Sequence, residues 1–274
     1  MNHKISKSEH QNIIDLYKDN KSTKSLAKQY NVTNVSIRNI LHEHNIELRT
    51  CWWESKKYKP IKHYFDKIDD ENKAYFLGLL WADGCNNGRG VMISLQEGDE
   101  SVLQTMSKNI FSNERPLTFI DKSKYDEKNA YRLTIYDVEI LRVLQSFGLV
   151  EAKSLILKYP KEGVIPKDLF RHFLRGYFDG DGWASLMHRY NKWHVIVLEW
   201  GIIGTKSFMT SMKQKIEEAL KIKINKITKH SSVFRIRITK KQILEKLYRF
   251  LYSYSTIYLP RKKEKFEQYF QISA

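Results

Sequence analysis

The chain has 274 residues, 42% of them hydrophobic, with a formal net charge of +16 and a sequence pI of about 9.6. That length holds one large domain or two, and that charge points to a polyanionic partner without specifying a fold. Cys51 and Cys85 are too few for a disulfide framework. The polar start MNHKISKSEH is no signal peptide, and no apolar run reaches membrane-spanning length, so a cytoplasmic protein without a membrane partner is expected.

The charge is uneven. Residues 1–62 carry 12 Lys and Arg against 6 Asp and Glu, residues 63–160 carry 12 against 15, and residues 161–274 carry 23 against 10. A nucleic-acid binder with unequal arms can use such a bias.

In chain order, residues 8–19 read as a helix starting at Ser8. TKSLAKQYNVTNVSIRNILHEHNI follows, with Leu26, Ala27, Tyr30, Val32, Ile37 and Ile40 at helix-turn-helix spacing and a tight turn at Asn31. This resembles the helix-turn-helix of resolvase- and repressor-like DNA-binding domains. The resemblance implies that the helix at 34–44 enters a major groove with Asn34, Ser36, Arg38 and Asn39 outward. Residues 1–48 then form a small all-α domain. Residues 49–70 are rich in Lys and aromatics, include Pro60 and lack periodicity. They read as a linker, with Trp52, Trp53, Lys56, Lys57 and Lys59 as candidate contacts to a DNA backbone.

Residues 71–160 open on a helix containing FLGLLWADG (76–84). A strand VMISLQ, a helix at 100–111, strands LTFI and YRLTI, and a helix at 137–147 closed by Gly148 follow. Residues 161–274 repeat that order. A helix opening at Pro166 carries LRGYFDGDG (174–182). Strands WASLMH and WHVIVLEW, a helix at 207–220, strands KIKIN and VFRIRI, and a helix at 241–252 come after it. YRLTIYDVEIL lines up with FRIRITKKQIL, and EAKSLIL with PRKKEKF, which sets Lys153 against Lys262. A repeat this long means a duplicated domain.

Both nine-residue stretches share two oddities. Gly176 and Gly180, like Gly78 and Ala82, lie at i, i+4. Each helical glycine costs about 1 kcal/mol relative to alanine, so the pair implies close approach of another helix backbone. Asp83 and Asp181 fall at helix C-termini, where the macrodipole disfavours an anion by roughly 0.3–1 kcal/mol; a bound cation would explain them. On the strands, Arg132 with Thr134, Lys221 with Lys223, and Arg235 with Arg237 alternate with apolar residues, giving a cationic face suited to DNA.

With these residues in place, the chain resembles the LAGLIDADG homing endonucleases in their single-chain, two-motif form, over about residues 70–270. The resemblance implies an α+β fold: two pseudo-twofold-related repeats, with helices packed on curved antiparallel sheets that bind double-stranded DNA. It also implies that Asp83 and Asp181 bind a divalent metal such as Mg²⁺, with a backbone carbonyl and DNA phosphates completing its shell, and that Lys153 and Lys262 serve as the basic residues beside it. The implied reaction is a double-strand break in a long asymmetric site, leaving short 3′ overhangs, made by a monomer. Trp81 stands where the second motif keeps Asp179, a position that is structural in such proteins. The alternative on the same fold is a non-cleaving DNA-binding regulator, or an intron-splicing maturase whose partner is its host intron RNA. The initial Met, and the lack of a terminal His-Asn followed by a nucleophile, favour a free-standing enzyme over an intein.

Overall fold

The computed structural model describes residues 5–19, 21–46, 48, 57–123, 127–189 and 195–272, so Cys51, Trp52, Trp53 and Lys56 lie outside the described residues. The chain divides into two compact units, residues 1–57 and 58–274.

The first unit contains α1 (Lys7–Lys18), α2 (Thr23–Gln29) and α3 (Asn34–Glu43). Each start has a local chemical cause. Ser6 caps α1, its N–H donating to the Glu9 carboxylate at 3.0 Å, so the helix begins before Ser8. Ser22 and Thr33 accept the backbone N–H of Ser25 and Ser36 and so cap α2 and α3. Asn31 makes the turn between them in the left-handed region, at φ 51°. Ile13, Ile14, Tyr17, Leu26, Ala27, Ile37, Ile40 and Leu41 close the core.

The second unit runs α4 (Glu71–Asp83), β1 (Cys85–Asn86), β2 (Val91–Gln96), α5 (Glu100–Ile110), β3 (Thr118–Ile120), β4 (Ala130–Ile135) and α6 (Val138–Phe147). A 3₁₀ turn at Lys153–Leu155 follows. Then come α7 (Phe170–Asp181), β5 (Gly182–Arg189), β6 (Val195–Gly204), α8 (Lys206–Leu220), β7 (Thr228–His230), β8 (Val233–Ile238), α9 (Lys241–Tyr252) and α10 (Pro260–Ile272). Two antiparallel four-stranded sheets result, ordered β1-β2-β4-β3 and β5-β6-β8-β7. One apolar core joins both repeats: Tyr75, Phe76, Leu79 and Leu80 of α4 share it with Phe173, Leu174, Tyr177 and Phe178 of α7.

Three expectations need correction. KIKIN is not a strand. Lys221 turns left-handed at φ 52° and ends α8, and the N–H of Ile224 bonds the Glu217 carboxylate at 2.7 Å, so residues 221–225 cap the helix. Pro166 opens a turn closed by the Leu169 N–H, and α7 starts only at Phe170. Beyond Lys57 the linker reading fails as well: Pro60 bridges to Phe111, and Tyr64, Phe65 and Ile68 are buried in the core.

Candidate active centre and nucleic-acid face

The motif glycines let α4 and α7 touch backbone to backbone. A Cβ on Gly78 would collide with the carbonyl oxygen of Phe173, and one on Gly176 with that of Tyr75. The seam brings the two motif acids to one end. A Cβ on Gly180, the residue before Asp181, would sit 2.8 Å from a carboxylate oxygen of Asp83. As whole residues Asp83 is exposed and Asp181 half-buried, but the packed helix ends shield their carboxyl groups from much of the water. Loss of water around the Asp83 carboxyl, and next the facing Asp181 charge, push it up to about 6. Loss of water raises Asp181 as well, while Lys153, Tyr177 and Lys262 oppose the rise.

Both lysines reach this centre and are held there by helix-end carbonyls. Lys153 Nζ donates to the Trp81 carbonyl at 2.7 Å and to that of Ala82. Lys262, 4% exposed, donates to the carbonyls of Phe178, Asp179 and Gly182 at 2.6, 2.7 and 2.7 Å. An ammonium satisfies C-terminal carbonyls and complements the helix dipole, which offsets the cost of ending each helix in aspartate. Burial lowers both lysine pKa values, Lys262 to about 8. The four residues Asp83, Asp181, Lys153 and Lys262 therefore stand together.

Behind the centre the repeats differ. Asp179 is buried; one of its oxygens accepts the Tyr75 hydroxyl at 2.7 Å and the Leu259 N–H at 2.9 Å, and burial pushes its carboxyl up to about 6. Arg175, fully buried, donates to the carbonyls of Ile257 and Leu251 (both 2.7 Å) and to the Glu71 carboxylate (2.5 Å), and His172 Nδ1 lies 2.9 Å from the same guanidinium nitrogen. Burial works against the Glu71 charge, but bonds from His172 and the Thr256 N–H and the Arg175 charge outweigh it, holding the carboxyl at about 2. In the first repeat, 98 residues earlier, Leu77 and Trp81 occupy the places of Arg175 and Asp179. Trp81 is fully buried, its indole N–H on the Lys158 carbonyl at 3.1 Å.

Strand register sets the open sheet faces. On the first sheet Cys85, Met92 and Thr134 form one cross-strand row, and Ser94 with Arg132 the next, the Arg132 Nε donating to the Ser94 hydroxyl at 3.0 Å. On the second, Trp183, Gly201 and Arg237 form the matching row, and Ile203 with Arg235 the next. Thus Arg132, Thr134, Arg235 and Arg237 lie on open faces, whereas Lys221 and Lys223 belong to the α8 cap. The second face is not purely cationic either, because Glu199 stands on it beside Arg237. In the first unit Arg38 and Asn39 are exposed. Asn34 and Ser36 are half-buried, and Ser36 is engaged in the α3 cap; Val35, unflagged by sequence, is 62% exposed.

With this geometry the chain can be compared with known proteins. No protein-family model matches it. It is 27% identical over 240 residues to the probable translation initiation factor IF-2 of Methanocaldococcus jannaschii, a match covering 83% of this chain and 18% of that protein. The chain thus spans less than a fifth of that relative's length. Among solved structures, the I-LtrWI LAGLIDADG homing endonuclease bound to target DNA superposes with a TM-score of 0.52 at 14% identity, over 74% of this chain and 89% of that one. This is the LAGLIDADG two-repeat fold. I-SmaMI bound to an uncleaved DNA target in the presence of calcium ions gives a TM-score of 0.51 at 12% identity, over 75% and 91% of the two chains.

The LAGLIDADG fold carries an expectation of a divalent metal, which the donor set can test. Asp83 and Asp181 supply two carboxylates whose mutual repulsion and dehydration already favour a neutralising partner. Among the described residues no group of three His, Cys, Asp or Glu could enclose an ion. The carbonyls at 81, 82, 178, 179 and 182 are taken by the lysines. The donors therefore fit a hard cation that keeps waters and accepts one or two carboxylates plus phosphate oxygens, as Mg²⁺ does, and not one that needs an all-protein cage.

Proposed function

We propose that this chain is a metal-dependent, site-specific DNA endonuclease that makes a double-strand break in a long asymmetric site, leaving short 3′ overhangs. The observation that carries the reading is the meeting of one acid and one lysine from each repeat where α4 and α7 end. Asp83 and Asp181 would hold Mg²⁺ together with phosphate oxygens; when bound, the ion supplies water of lowered pKa and stabilises the leaving oxygen. The chain's own contribution is positional. The glycine seam fixes the distance between the acids. Lys153 and Lys262 tie down the helix ends that present them, and their charge favours a phosphodiester at the centre. Arg132, Thr134, Arg235 and Arg237 contact DNA from the open sheet faces. The first unit acts as a helix-turn-helix arm, with Arg38 and Asn39, both exposed on α3, as contacts to DNA. A monomer with two unlike repeats suits an asymmetric site.

The test is incubation of the protein with Mg²⁺ and DNA spanning the junction that its own gene interrupts. Cleavage is expected, and Asp83→Asn or Asp181→Asn should each lower its rate by about a hundredfold or more, since several kcal/mol of charge stabilisation is lost. Specific binding without cutting would make the protein a regulator instead. Salt-resistant, preferential binding to folded intron RNA would make it a maturase.

A further inference from the structure

On the open face of the second sheet one arginine pairs with a carboxylate that a tryptophan of a third strand holds in turn. The indole ring of Trp183 reaches over β6: a Cβ on Gly201 would collide with its six-membered ring, so glycine makes room for it. The indole N–H donates to one oxygen of Glu199 at 3.0 Å, and the other oxygen pairs with Arg237 Nη1 at 3.3 Å. The Glu199 side chain is only 10% exposed, whereas that of Arg237 is 52% exposed. The carboxylate is thus enclosed and the guanidinium is not.

The place of this trio along the sheet is equally specific. Trp183 follows Asp181 by two residues, and Trp183, Gly201 and Arg237 are direct cross-strand partners. They form the first open-face row after the motif acid. The matching row of the first repeat, Cys85, Met92 and Thr134, contains no charge. In the next row Arg235 Nε donates to the Thr228 hydroxyl at 3.3 Å, and among the described residues no carboxylate pairs with it.

We propose that Arg237 reads a guanine in the major groove at a base pair close to the cleavage centre, and that Glu199, held by Trp183, is the positioning residue that sets its specificity. The reading rests on the chain being a DNA endonuclease and deepens it. A guanidinium fork matches the O6 and N7 acceptors of guanine, and no other base offers two acceptors in that arrangement. Holding one end of the fork removes rotamers that would otherwise reach a phosphate, so the side chain discriminates among bases instead of adding uniform affinity.

The experiment is selection of bound sequences by the full chain from a randomised duplex pool, repeated with Arg237→Ala, Arg237→Lys, Glu199→Gln and Trp183→Phe, with melting curves for each variant. The parent should select a G·C pair at one position near the centre. Arg237→Ala should abolish that preference, and Arg237→Lys should weaken it, because an ammonium still reaches the guanine acceptors but lacks the planar fork. Glu199→Gln should weaken it about tenfold at the same position, Trp183→Phe should weaken it less, and the other positions should keep their preferences. A Glu199→Gln protein whose preference stays within twofold of the parent at every position would overturn the positioning role. Arg237→Ala that weakens all sequences alike, with the salt slope falling by about one, would show a phosphate contact and overturn the base reading. If Glu199→Gln does not fold, Trp183→Phe tests the positioning and Arg237→Ala tests the reader: a guanine preference that survives Arg237→Ala refutes the proposal. A parent that selects no sequence sinks the endonuclease reading itself, a result distinct from every variant outcome.

Discussion

The two repeats share a frame and differ in what fills it. Each supplies a motif helix with a close-approach glycine, a terminal aspartate and a lysine on the helix-end carbonyls. Behind α4 the frame is filled by Leu77 and Trp81; behind α7 it is filled by Arg175 and Asp179, with Glu71 reaching across from the other helix. One repeat is supported by packing, the other by a buried polar network. The contrast separates what the centre requires in both halves from what either half can vary.

The largest effect should come from breaking that network on one side only. Arg175→Leu leaves the half-buried Glu71 without its guanidinium, with only His172 and the Thr256 N–H beside it, and a loss of roughly 3 kcal/mol is expected by chemical denaturation. The double variant Glu71→Leu/Arg175→Leu makes the second repeat resemble the first and should recover most of that loss. If the single and double variants are equally unstable, the guanidinium is needed for its bonds to the Leu251 and Ile257 carbonyls, and the ion pair with Glu71 is secondary. Next in size, Gly78→Ala and Gly176→Ala should each cost roughly 1–3 kcal/mol, because each new methyl meets opposing backbone that cannot rotate away. Equal costs would show a seam shared evenly; a cost confined to one glycine would show that one helix gives way.

Much of the shared frame was legible because its chemistry is local. Glycines at i, i+4, an Asp-Gly ending and a lysine about 70–80 residues on can be counted along the chain. The support behind the motif was not. Arg175 gives no local sign of its role, because its partner Glu71 is 104 residues away. Alternation marks Arg237, but Trp183 and Glu199 meet it only through strand register, so no spacing reveals the trio. KIKIN misled because alternation is also what a capping loop shows when it buries Ile224 and leaves its lysines outside. Residues 58–70 misled through composition, their lysines hiding Tyr64, Phe65 and Ile68.

A smaller effect, set by pH, tests whether the acids act as one centre. The Asp83 carboxyl is raised to about 6, so between its ordinary range near 4 and that value the folded protein holds a proton that the unfolded chain releases. The contribution is therefore full below about 4 and lost as pH rises towards 6. In metal-free buffer, Asp83→Asn should flatten the parent's fall in stability across that window. Metal binding has the opposite sense: protons compete with the ion, so calorimetry should show apparent Mg²⁺ affinity climbing up to about tenfold per pH unit below 6 and levelling off above. A parent and an Asp83→Asn variant with parallel stability profiles would show that Asp83 is not the group responsible.

The smallest effect concerns Lys223, which separates the sheet faces from the rest of the basic half. The sequence pattern placed it beside Arg235 and Arg237, but the structure puts it in the α8 cap, exposed and off every strand. Lys223→Ala should change stability by less than about 0.5 kcal/mol, as surface substitutions do. It should also leave the slope of log affinity against log salt unchanged, whereas Arg235→Ala should reduce it by about one. Should Lys223→Ala lower the slope as far as Arg235→Ala does, the DNA path must extend past the sheet onto the end of α8. The charge excess of residues 161–274 would then act as a broad electrostatic surface around the face, and the strand rows alone would not account for the affinity.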